Sequence, residues 1–396
     1  VPHLRFPEFS GEWEEYMLSD FVERVKRKNK NNLCKLPLTI SAQYGLVDQI
    51  SFFNKVIASE NMSNYYLLHK GDFAYNKSYS SEYPWGAIKR LDCYEQGTLS
   101  SLYICFKPYS HVSSDFLTHY FETSKWHQGI SEIAVEGARN HGLLNVGIQD
   151  FFETRHCLPQ NLLEQEKIAK FLNLIEERIA TQNKIIEKYR SLIQAIIYQK
   201  KTDGICNGNW QKMKLSKVLQ ERSEKNTNGY VVCSVSVSQG VVNQIEYLGR
   251  SFAAKETFHY NVVKDGDIVY TKSPTGDFPY GIVKRSTIKE DVAVSPLYGV
   301  YMPVNDHIGV ILHFYFMRPS NAFNYLHPLI QKGAKNTINI TNGRFLENSI
   351  LLPKTENEAL CIANALKTIQ RKIDIEKGLL QSYEKEKEYL LCQMFI

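Results

Sequence analysis

The sequence lacks the features of several large classes of protein. Its eight cysteines are scattered over 396 residues with no CxxC pair, a pattern typical of reduced thiols rather than of a disulfide framework. No apolar run approaches 18 residues, so no transmembrane helix is predicted. The first residues, VPHLRFPEF, lack the apolar segment of a signal peptide, and we expect a cytoplasmic protein.

The sequence also lacks the common catalytic motifs. There is no GxxxxGK[ST] phosphate loop, no GxGxxG after a strand, no HExxH and no GxSxG. His111, His119 and His127 lie eight residues apart, and we interpret them as surface or hydrogen-bonded histidines rather than metal ligands. We therefore expect no catalytic residue, no metal site and no cofactor bound by this chain.

The charge balance permits a nucleic-acid partner without requiring one. The chain has 47 Lys and Arg against 42 Asp and Glu, a net charge of +5. Hydrophobic residues make up 43% and aromatic residues 12%, enough to form the cores of two to four folded domains.

What the chain does contain is an internal repeat. The passage WEEYMLSDFVERVKRKN (13–29) resembles WQKMKLSKVLQERSEKN (210–226), and GLVDQI (45–50) resembles GVVNQI (240–245). The strongest match is KGDFAYNKSYSSEYPWGAIKR (70–90) with DGDIVYTKSPTGDFPYGIVKR (265–285), at an offset of 195 residues. GARN (137–140) and GAKN (333–336) follow near the end of each copy. A register shared over this length indicates a duplicated domain.

Each copy predicts a mixed α and β domain of about 150 residues. A short helix is expected after each tryptophan, over 18–26 and 215–222, and further helices are expected over 114–123 and near 311–316. Runs of Val, Ile, Tyr and Phe between turn residues predict strands over 72–75, 87–89 and 102–106, and over 267–270, 281–284 and 297–301.

A long helix is predicted after each copy. Residues 161–201 contain no Gly or Pro, and apolar residues fall at heptad spacing from Ile168 to Ile196, with Gln182 as a polar exception. Gly204 is expected to end this helix. The second helix is predicted from Glu356 onward, with Glu376 and Lys387 weakening its seam.

These elements predict an α+β fold in which two similar mixed α/β domains stand in tandem, each followed by a long heptad helix. We expect the helices to pair as an antiparallel coiled coil with pseudo-twofold symmetry. The predicted segments are 1–158, 159–204, 205–352 and 353–396.

This organisation resembles the specificity (S) subunit of type I restriction-modification systems over essentially the whole chain. The resemblance rests on LRFPEF…W (4–13) and GNW (208–210), on the GD…Y.KS….P.G..KR block in both copies, and on LP…EQEKIAKFLNLIEERI (158–179). The second copy of that last run, over 352–373, is more degenerate.

The resemblance implies that segments 1–158 and 205–352 are target recognition domains, each recognising one half of a bipartite, asymmetric sequence in double-stranded DNA. The helices would set the half-site spacing and dock two methyltransferase (M) subunits, with residues 161–179 as a candidate docking stretch. Restriction (R) subunits would join the full complex. S-adenosylmethionine, ATP and Mg²⁺ would then be bound by the partner subunits.

Comparison of the two copies gives the candidate DNA-binding residues. Positions shared by both copies are expected to serve the fold or the phosphate backbone, because both half-sites have the same backbone. The shared basic and polar residues are Lys77, Ser78, Lys89, Arg90, Arg139 and Asn140 in the first copy and Lys272, Ser273, Lys284, Arg285, Lys335 and Asn336 in the second.

Positions that differ between the copies are candidates for base recognition, since the half-sites differ in their bases. They are Gln43, Tyr44, Asn76, Tyr79, Ser80, Trp85 and His141 in the first copy and Ser238, Gln239, Thr271, Thr275, Tyr280 and Thr337 in the second. Trp85 and Tyr280 follow prolines and fit core packing equally well.

Three other interpretations remain open from the sequence alone. The chain would fit a recognition subunit of a methylation-only complex, or a scaffold with two ligand-binding modules on a coiled-coil spacer that binds no nucleic acid. A nuclease or methyltransferase with a disguised active site is the third, and it would show activity as an isolated chain.

Overall fold

The computed structural model describes residues 1–134, 142–251, 253–254, 256–332 and 338–396. The chain divides into two compact units. Unit 1 comprises Val1–Thr181 and Leu380–Ile396, and unit 2 comprises Gln182–Leu379. Each unit therefore contains one copy of the repeat and a stretch of each long helix.

Unit 1 is built from short antiparallel strands and short helices. Its strands are β1 (Glu14–Met17), β2 (Val22–Arg24), β3 (Leu38–Ser41), β4 (Gly45–Asp48), β5 (Tyr66–His69), β6 (Phe73–Asn76), β7 (Ala87–Arg90), β8 (Gln96–Leu99), β9 (Ile104–Pro108) and β10 (Arg155–Leu158). Its helices are α1 (Leu18–Phe21), α2 (Gln49–Phe53), α3 (Ser114–Tyr120), α4 (His127–Ile133) and α5 (Ile148–Glu153), followed by the long helix α6 (Leu162–Cys206).

Unit 2 repeats this arrangement. Its strands are β11 (Trp210–Lys214), β12 (Leu219–Glu221), β13 (Cys233–Ser236), β14 (Gly240–Asn243), β15 (Asn261–Val263), β16 (Ile268–Tyr270), β17 (Val283–Arg285), β18 (Val292–Val294), β19 (Gly299–Pro303), β20 (Gln331–Lys332), β21 (Ile338–Asn339) and β22 (Ser349–Pro353). Its helices are α7 (Gln244–Leu248), α8 (Asp306–Phe316), α9 (Pro319–Leu326) and α10 (Asn342–Phe345), followed by the second long helix α11 (Glu356–Met394).

The sheets have the same strand order in the two units. A four-stranded antiparallel sheet runs β2-β9-β6-β7 in unit 1 and β12-β19-β16-β17 in unit 2. Two-stranded pairs β1-β10, β3-β4 and β5-β8 correspond to β11-β22, β13-β14 and β15-β18. The predicted fold class, two similar mixed domains with long helices, is confirmed.

The predicted helices after each tryptophan are wrong in length. α1 ends at Phe21, and in unit 2 the equivalent is a single 3₁₀ turn, Leu215–Lys217. Strands β2 and β12 follow at once and join the edges of the four-stranded sheets. The β-branched, buried Val22 fits an extended edge strand better than a continued helix.

The repeated Gly-Asp pair forms a structural turn. Gly71 and Gly266 both have φ of +90°, a conformation that favours glycine. The Asp72 carboxylate accepts the His69 N–H at 2.8 Å and pairs with Arg27. Asp267 is similarly bound by Lys264 N–H at 2.9 Å and by Arg222 at 2.6 Å. The motif is shared because both units need this turn before β6 and β16.

The long helices pack by their apolar seams within each unit. Ile168, Leu172 and Ile175 of α6 are buried in the unit 1 core with Leu390 and Met394 of α11. In unit 2 the buried seam residues are Ile186, Ile193 and Ile197 of α6 and Ile362, Leu366, Ile369 and Ile373 of α11. Ile197, rather than the predicted Ile196, ends the seam of α6.

The polar residues of the seam are paired with one another. In unit 2, Gln182 Nε2 donates to the Glu376 carbonyl at 3.1 Å and also to the Glu376 carboxylate. Lys372 Nζ lies 5.8 Å from the Tyr189 ring, seven residues further along α6 and four residues back along α11, so the two helices run antiparallel there. In unit 1, Lys387 Nζ lies 2.6 Å from Glu176 Oε1.

Gly204 does not end α6, which continues to Cys206 and is followed by Gly208 with φ of +69°. Gly204 instead leaves space for the Trp210 side chain. A Cβ at this position would lie 1.8 Å from Cδ1 of Trp210, whose indole N–H donates to Glu358 at 2.9 Å. Trp210 thereby joins the end of α6 to the start of α11.

Gly204→Val is expected to destabilise unit 2 by about 2–3 kcal/mol, because the indole must leave its site. Native-state hydrogen exchange of peptides from 204–214 measures this loss. Gly378→Ala is the matched control, since its added Cβ meets nothing within 4 Å. Alanine there should stabilise the helix by about 0.5–1 kcal/mol. Equal exchange in the parent and Gly204→Val would contradict the packing role.

Among the described residues, no helix is both long enough and apolar enough to cross a membrane.

Candidate nucleic-acid interface

Two β-hairpins present the first pair of candidate residues at their tips. Gln43 and Tyr44 lie in the turn between β3 and β4, and Ser238 and Gln239 lie in the equivalent turn between β13 and β14. All four side chains are exposed. These are positions where the two units differ in sequence on the same backbone frame.

In each unit a second hairpin, β6–β7 or β16–β17, carries the repeated Lys-Ser pair. Residues that both units share close the loop of this hairpin. In unit 1 the Tyr75 hydroxyl donates to the Trp85 carbonyl at 2.9 Å, and in unit 2 the Tyr270 hydroxyl donates to the Tyr280 carbonyl at 2.8 Å. Gly86 has φ of +79°, and a Cβ there would lie 2.1 Å from the backbone carbonyl oxygen of Asn76. We refer to residues 75–86 and 270–281 as the hairpin frames.

Several candidates are exposed within the hairpin frames. Ser78, Tyr79 and Ser80 are exposed in unit 1, as are Ser273 and Thr275 in unit 2. Asn76 is partly buried, and its side-chain oxygen accepts the Ser78 N–H at 3.0 Å. Thr271 is only 3% exposed, and its hydroxyl accepts the Ile282 N–H at 3.1 Å. Burial thus removes Thr271 from the accessible surface of the frame.

Lys77 is tied to a neighbouring segment. Its Nζ donates to the Val146 carbonyl at 2.9 Å, and the Leu144 N–H donates to the Lys77 carbonyl at 2.9 Å. Burial lowers the pKa of the Lys77 ammonium, and burial likewise lowers that of Lys272. Lys77 therefore holds residues 142–146 against the frame of unit 1.

The predicted candidates of the GARN and GAKN segments are not placed. Arg139, Asn140, His141, Lys335, Asn336 and Thr337 lie outside the described residues.

Most of the shared Lys and Arg residues that follow the hairpin frames form ion pairs with carboxylates of the same unit. Lys89 Nζ lies 2.5 Å from Glu122 Oε1, and Arg90 lies 2.7 Å from Asp92 and 2.6 Å from Asp115. In unit 2, Arg285 pairs with Asp306. Lys284 is only 4% exposed, and burial lowers its pKa to about 8. None of the four is a fully exposed surface cation.

The two aromatic candidates lie partly within the packing of their units. Trp85 packs against the main core cluster of unit 1. The Tyr280 ring lies 5.3 Å from the Phe323 ring and 5.8 Å from the His327 ring, measured between centroids. These contacts support the core-packing interpretation that the sequence left open.

The sequence interpretation missed an exposed apolar face beside each hairpin tip. Ile50, Phe52 and Phe53 of α2 are exposed, and the Phe52 ring contacts that of Tyr44 at 6.4 Å. Ile245, Tyr247 and Leu248 of α7 are exposed in unit 2. The repeated VDQI and VNQI sequences were the available signal, since Asp48 and Asn243 cap these helices in the same way.

The arrangement offers surface for recognition rather than groups for catalysis. Within the described residues, no group of three or more His, Cys, Asp or Glu side chains could hold a metal ion. The exposed side chains at the tips and frames include amides, hydroxyls and tyrosine rings, which suit hydrogen bonds and apolar contacts to base edges, together with the carboxylates of Glu82 and Asp277.

Comparison with solved structures adds an independent observation. The chain is similar to the S subunit of a type I restriction-modification system from M. genitalium, with a TM-score of 0.57 and 12% sequence identity over 100% of this chain and 99% of that one. The chain has the fold of a type I S subunit. The fold predicted from the repeat and the heptads is thereby confirmed over the full length.

Two further solved structures align at lower scores. One is the HsdS subunit from Thermoanaerobacter tengcongensis, with a TM-score of 0.40 and 14% identity over 98% of both chains. The other comes from a study of complex assembly and conformational transition of the type I R-M system, with a TM-score of 0.48 and 13% identity over 97% of both chains. The fold assignment rests on the M. genitalium structure alone. No family model and no curated protein sequence matches the chain.

Proposed function

We propose that this chain is the DNA-specificity subunit of a type I restriction-modification complex. The observation that carries the proposal is the pair of hairpin frames within an S-subunit fold. The two frames share their closing residues but expose different side chains, as two recognition domains for unlike half-sites require. Each unit would recognise one half of a bipartite, asymmetric target in double-stranded DNA.

The geometry supports unequal roles for the candidate residues in this proposal. Gln43, Tyr44, Ser238 and Gln239 are exposed at hairpin tips and are the stronger candidates for base contacts. The polar residues 78–80, 273 and 275 complete the recognition surface. Lys89, Arg90 and Arg285 would serve mainly to stabilise the unit that contains each of them, because their charges are already paired with carboxylates.

We propose residues 161–179 of α6 as a docking site for a methyltransferase subunit. Leu163, Phe171 and Leu174 are exposed in this stretch although they are large and apolar. Phe171 and Leu174 line a groove of about 620 Å³ in unit 1 together with Tyr383. The positions 194 residues later, Ala365 and Thr368, have smaller side chains, so the docking surface on α11 differs.

The chemistry of the complex would belong to its partners. Two methyltransferase subunits would bind S-adenosylmethionine and methylate adenine, and restriction subunits would use ATP and Mg²⁺. This chain would bind none of these cofactors and would catalyse no step.

A map of methylated adenines tests the proposal. The chain is co-expressed with the methyltransferase subunit encoded beside it in a methylation-free host, and the genome is sequenced for modified bases. One gapped, asymmetric motif is the expected result, and the methyltransferase subunit expressed alone is the control. An active methyltransferase that forms a stable complex with the chain but marks no such motif would overturn the proposal.

Lys77→Ala is expected to weaken binding to all duplexes about equally and to flatten the salt dependence by about one unit, because the Lys77 ammonium bonds to the neutral Val146 carbonyl and keeps its charge for a phosphate. Fluorescence anisotropy at several salt concentrations measures both quantities. Lys70→Ala is the matched control, because Lys70 is exposed at the opposite end of β6. A loss confined to particular base pairs would instead make Lys77 a base-contacting residue.

A further inference from the structure

Unit 2 contains a cavity whose lining is strongly basic. Its volume is about 820 Å³, and it lies between the tip of the β13–β14 hairpin, strand β17, helix α8 and stretches of α6 and α11. Four cationic side chains line it: Arg190, Lys284, Arg285 and Lys377. Asp374 is the one carboxylate residue in the described lining. Such an excess of positive charge attracts anions.

The most buried of these cations pairs with no carboxylate of the described residues. The Lys284 side chain is 4% exposed, and no described residue provides it with a hydrogen-bond acceptor or a carboxylate. Arg285 and Arg190, in contrast, pair with Asp306 and Glu187. Burial of an ammonium without a counter-charge is costly, and an anionic ligand in the cavity would offset that cost.

Unit 1 shows what normally neutralises this position. Lys89 is the residue 195 positions before Lys284, and its Nζ lies 2.5 Å from Glu122 Oε1. The residue 195 positions after Glu122 is Met317, which lines the cavity together with Lys284. Unit 2 has therefore kept the lysine and replaced the carboxylate with a neutral side chain.

We propose that this cavity is a binding site for a phosphate group, which provides the negative charge that Glu122 provides in unit 1. The Gln194 and Gln370 amides lie in the same lining and add neutral hydrogen-bond donors. A phosphate group has several acceptor oxygens that share its negative charge. Such a group matches a site lined by several cations. The phosphate is either a free ion or part of a DNA backbone, and the second source rests on the proposed function.

Titration of the full-length chain with inorganic phosphate, at constant ionic strength set by chloride, tests the site. Isothermal titration calorimetry should show one binding site. Lys284→Met should weaken binding by about tenfold or more, because a charge-assisted hydrogen bond is lost. Lys89→Met is the matched control in unit 1 and should leave phosphate binding unchanged.

A second variant guards against a folding defect. Met317→Glu restores the carboxylate found in unit 1, and it should abolish phosphate binding while leaving the circular dichroism spectrum and thermal unfolding intact. Absence of a phosphate site in the parent would overturn the proposal. Unchanged affinity in both Lys284→Met and Met317→Glu would overturn it as well.

Duplex DNA distinguishes the two sources of phosphate. If the site takes a backbone phosphate, Lys284→Met weakens binding to all duplexes and free phosphate competes with DNA for the parent protein. If the site takes a free ion, Lys284→Met binds DNA as the parent does. A chain that binds phosphate but no DNA would refute the proposed function and retain this site.

Discussion

Exchanging residues 1–158 for the corresponding segment of a type I S subunit is expected, under the proposed function, to change one half of the methylated sequence and to leave the other half intact. The reason is that the hairpin tip and frame of unit 2 lie within a compact unit, Gln182–Leu379, that contributes its own core. The expected result is a hybrid motif in the methylation map, with one half from each parent.

The design of this chimera must respect the C-terminal residues. The Phe395 ring contacts the rings of Trp13, Phe116 and Tyr120 at 6.4, 5.2 and 6.0 Å, so the donor segment needs aromatic residues at these three places. Exchange of residues 205–352 is the reciprocal control and should change only the other half. If either exchange altered both halves, recognition would not be modular.

Arg5→Met is expected to lower the free energy of unfolding of unit 1 by about 3–5 kcal/mol. The Glu164 side chain is 2% exposed, and its two oxygens accept Arg5 Nε at 2.7 Å and Nη2 at 2.8 Å. Trp13 Nε1 adds a third hydrogen bond at 3.2 Å. Without the guanidinium, a buried carboxylate would keep only the indole N–H.

Chemical denaturation followed by tryptophan fluorescence measures this effect, because Trp13, Trp85 and Trp126 all lie in unit 1. The double variant with Glu164→Gln should recover most of the loss, since no buried charge remains. Glu358→Gln in unit 2 is the comparison variant. Glu358 accepts the Trp210 indole at 2.9 Å and is partly exposed, so a cost below about 1 kcal/mol is expected. A similarly small cost for Arg5→Met would contradict the buried-pair interpretation.

The repeat and the heptads made the architecture predictable from one sequence. Both signals depend on many residues, so an error at a few positions does not change the conclusion. The helix expected over 18–26 failed because its pattern fits a single turn followed by an edge strand, and only the sheet partner β9 decides between the two.

The candidate site was less predictable, since shared residues serve either the fold or the phosphate backbone. Lys89 and Arg90 repeat in unit 2, but Glu122 and Asp115, which neutralise them, lie outside the repeated block. The polar seam positions show the same difficulty. Gln182 and Glu376 each weaken a heptad when considered alone, and only the structure shows that they bind each other. A single sequence does not show which residues are in contact in the folded chain.

The closed hairpin frames separate the residues that fix each loop from the residues that the loop exposes. The Tyr75 hydroxyl bond and the tight approach of Gly86 hold the ends of the loop whatever residues lie between them. Substitutions at 78–79 or 273–275 are therefore expected to leave either unit folded, whereas the Ser80 hydroxyl accepts the Tyr83 N–H at 3.2 Å and helps to hold the loop. Under the proposed function, a library randomised in these short segments would be the starting material for new target sequences.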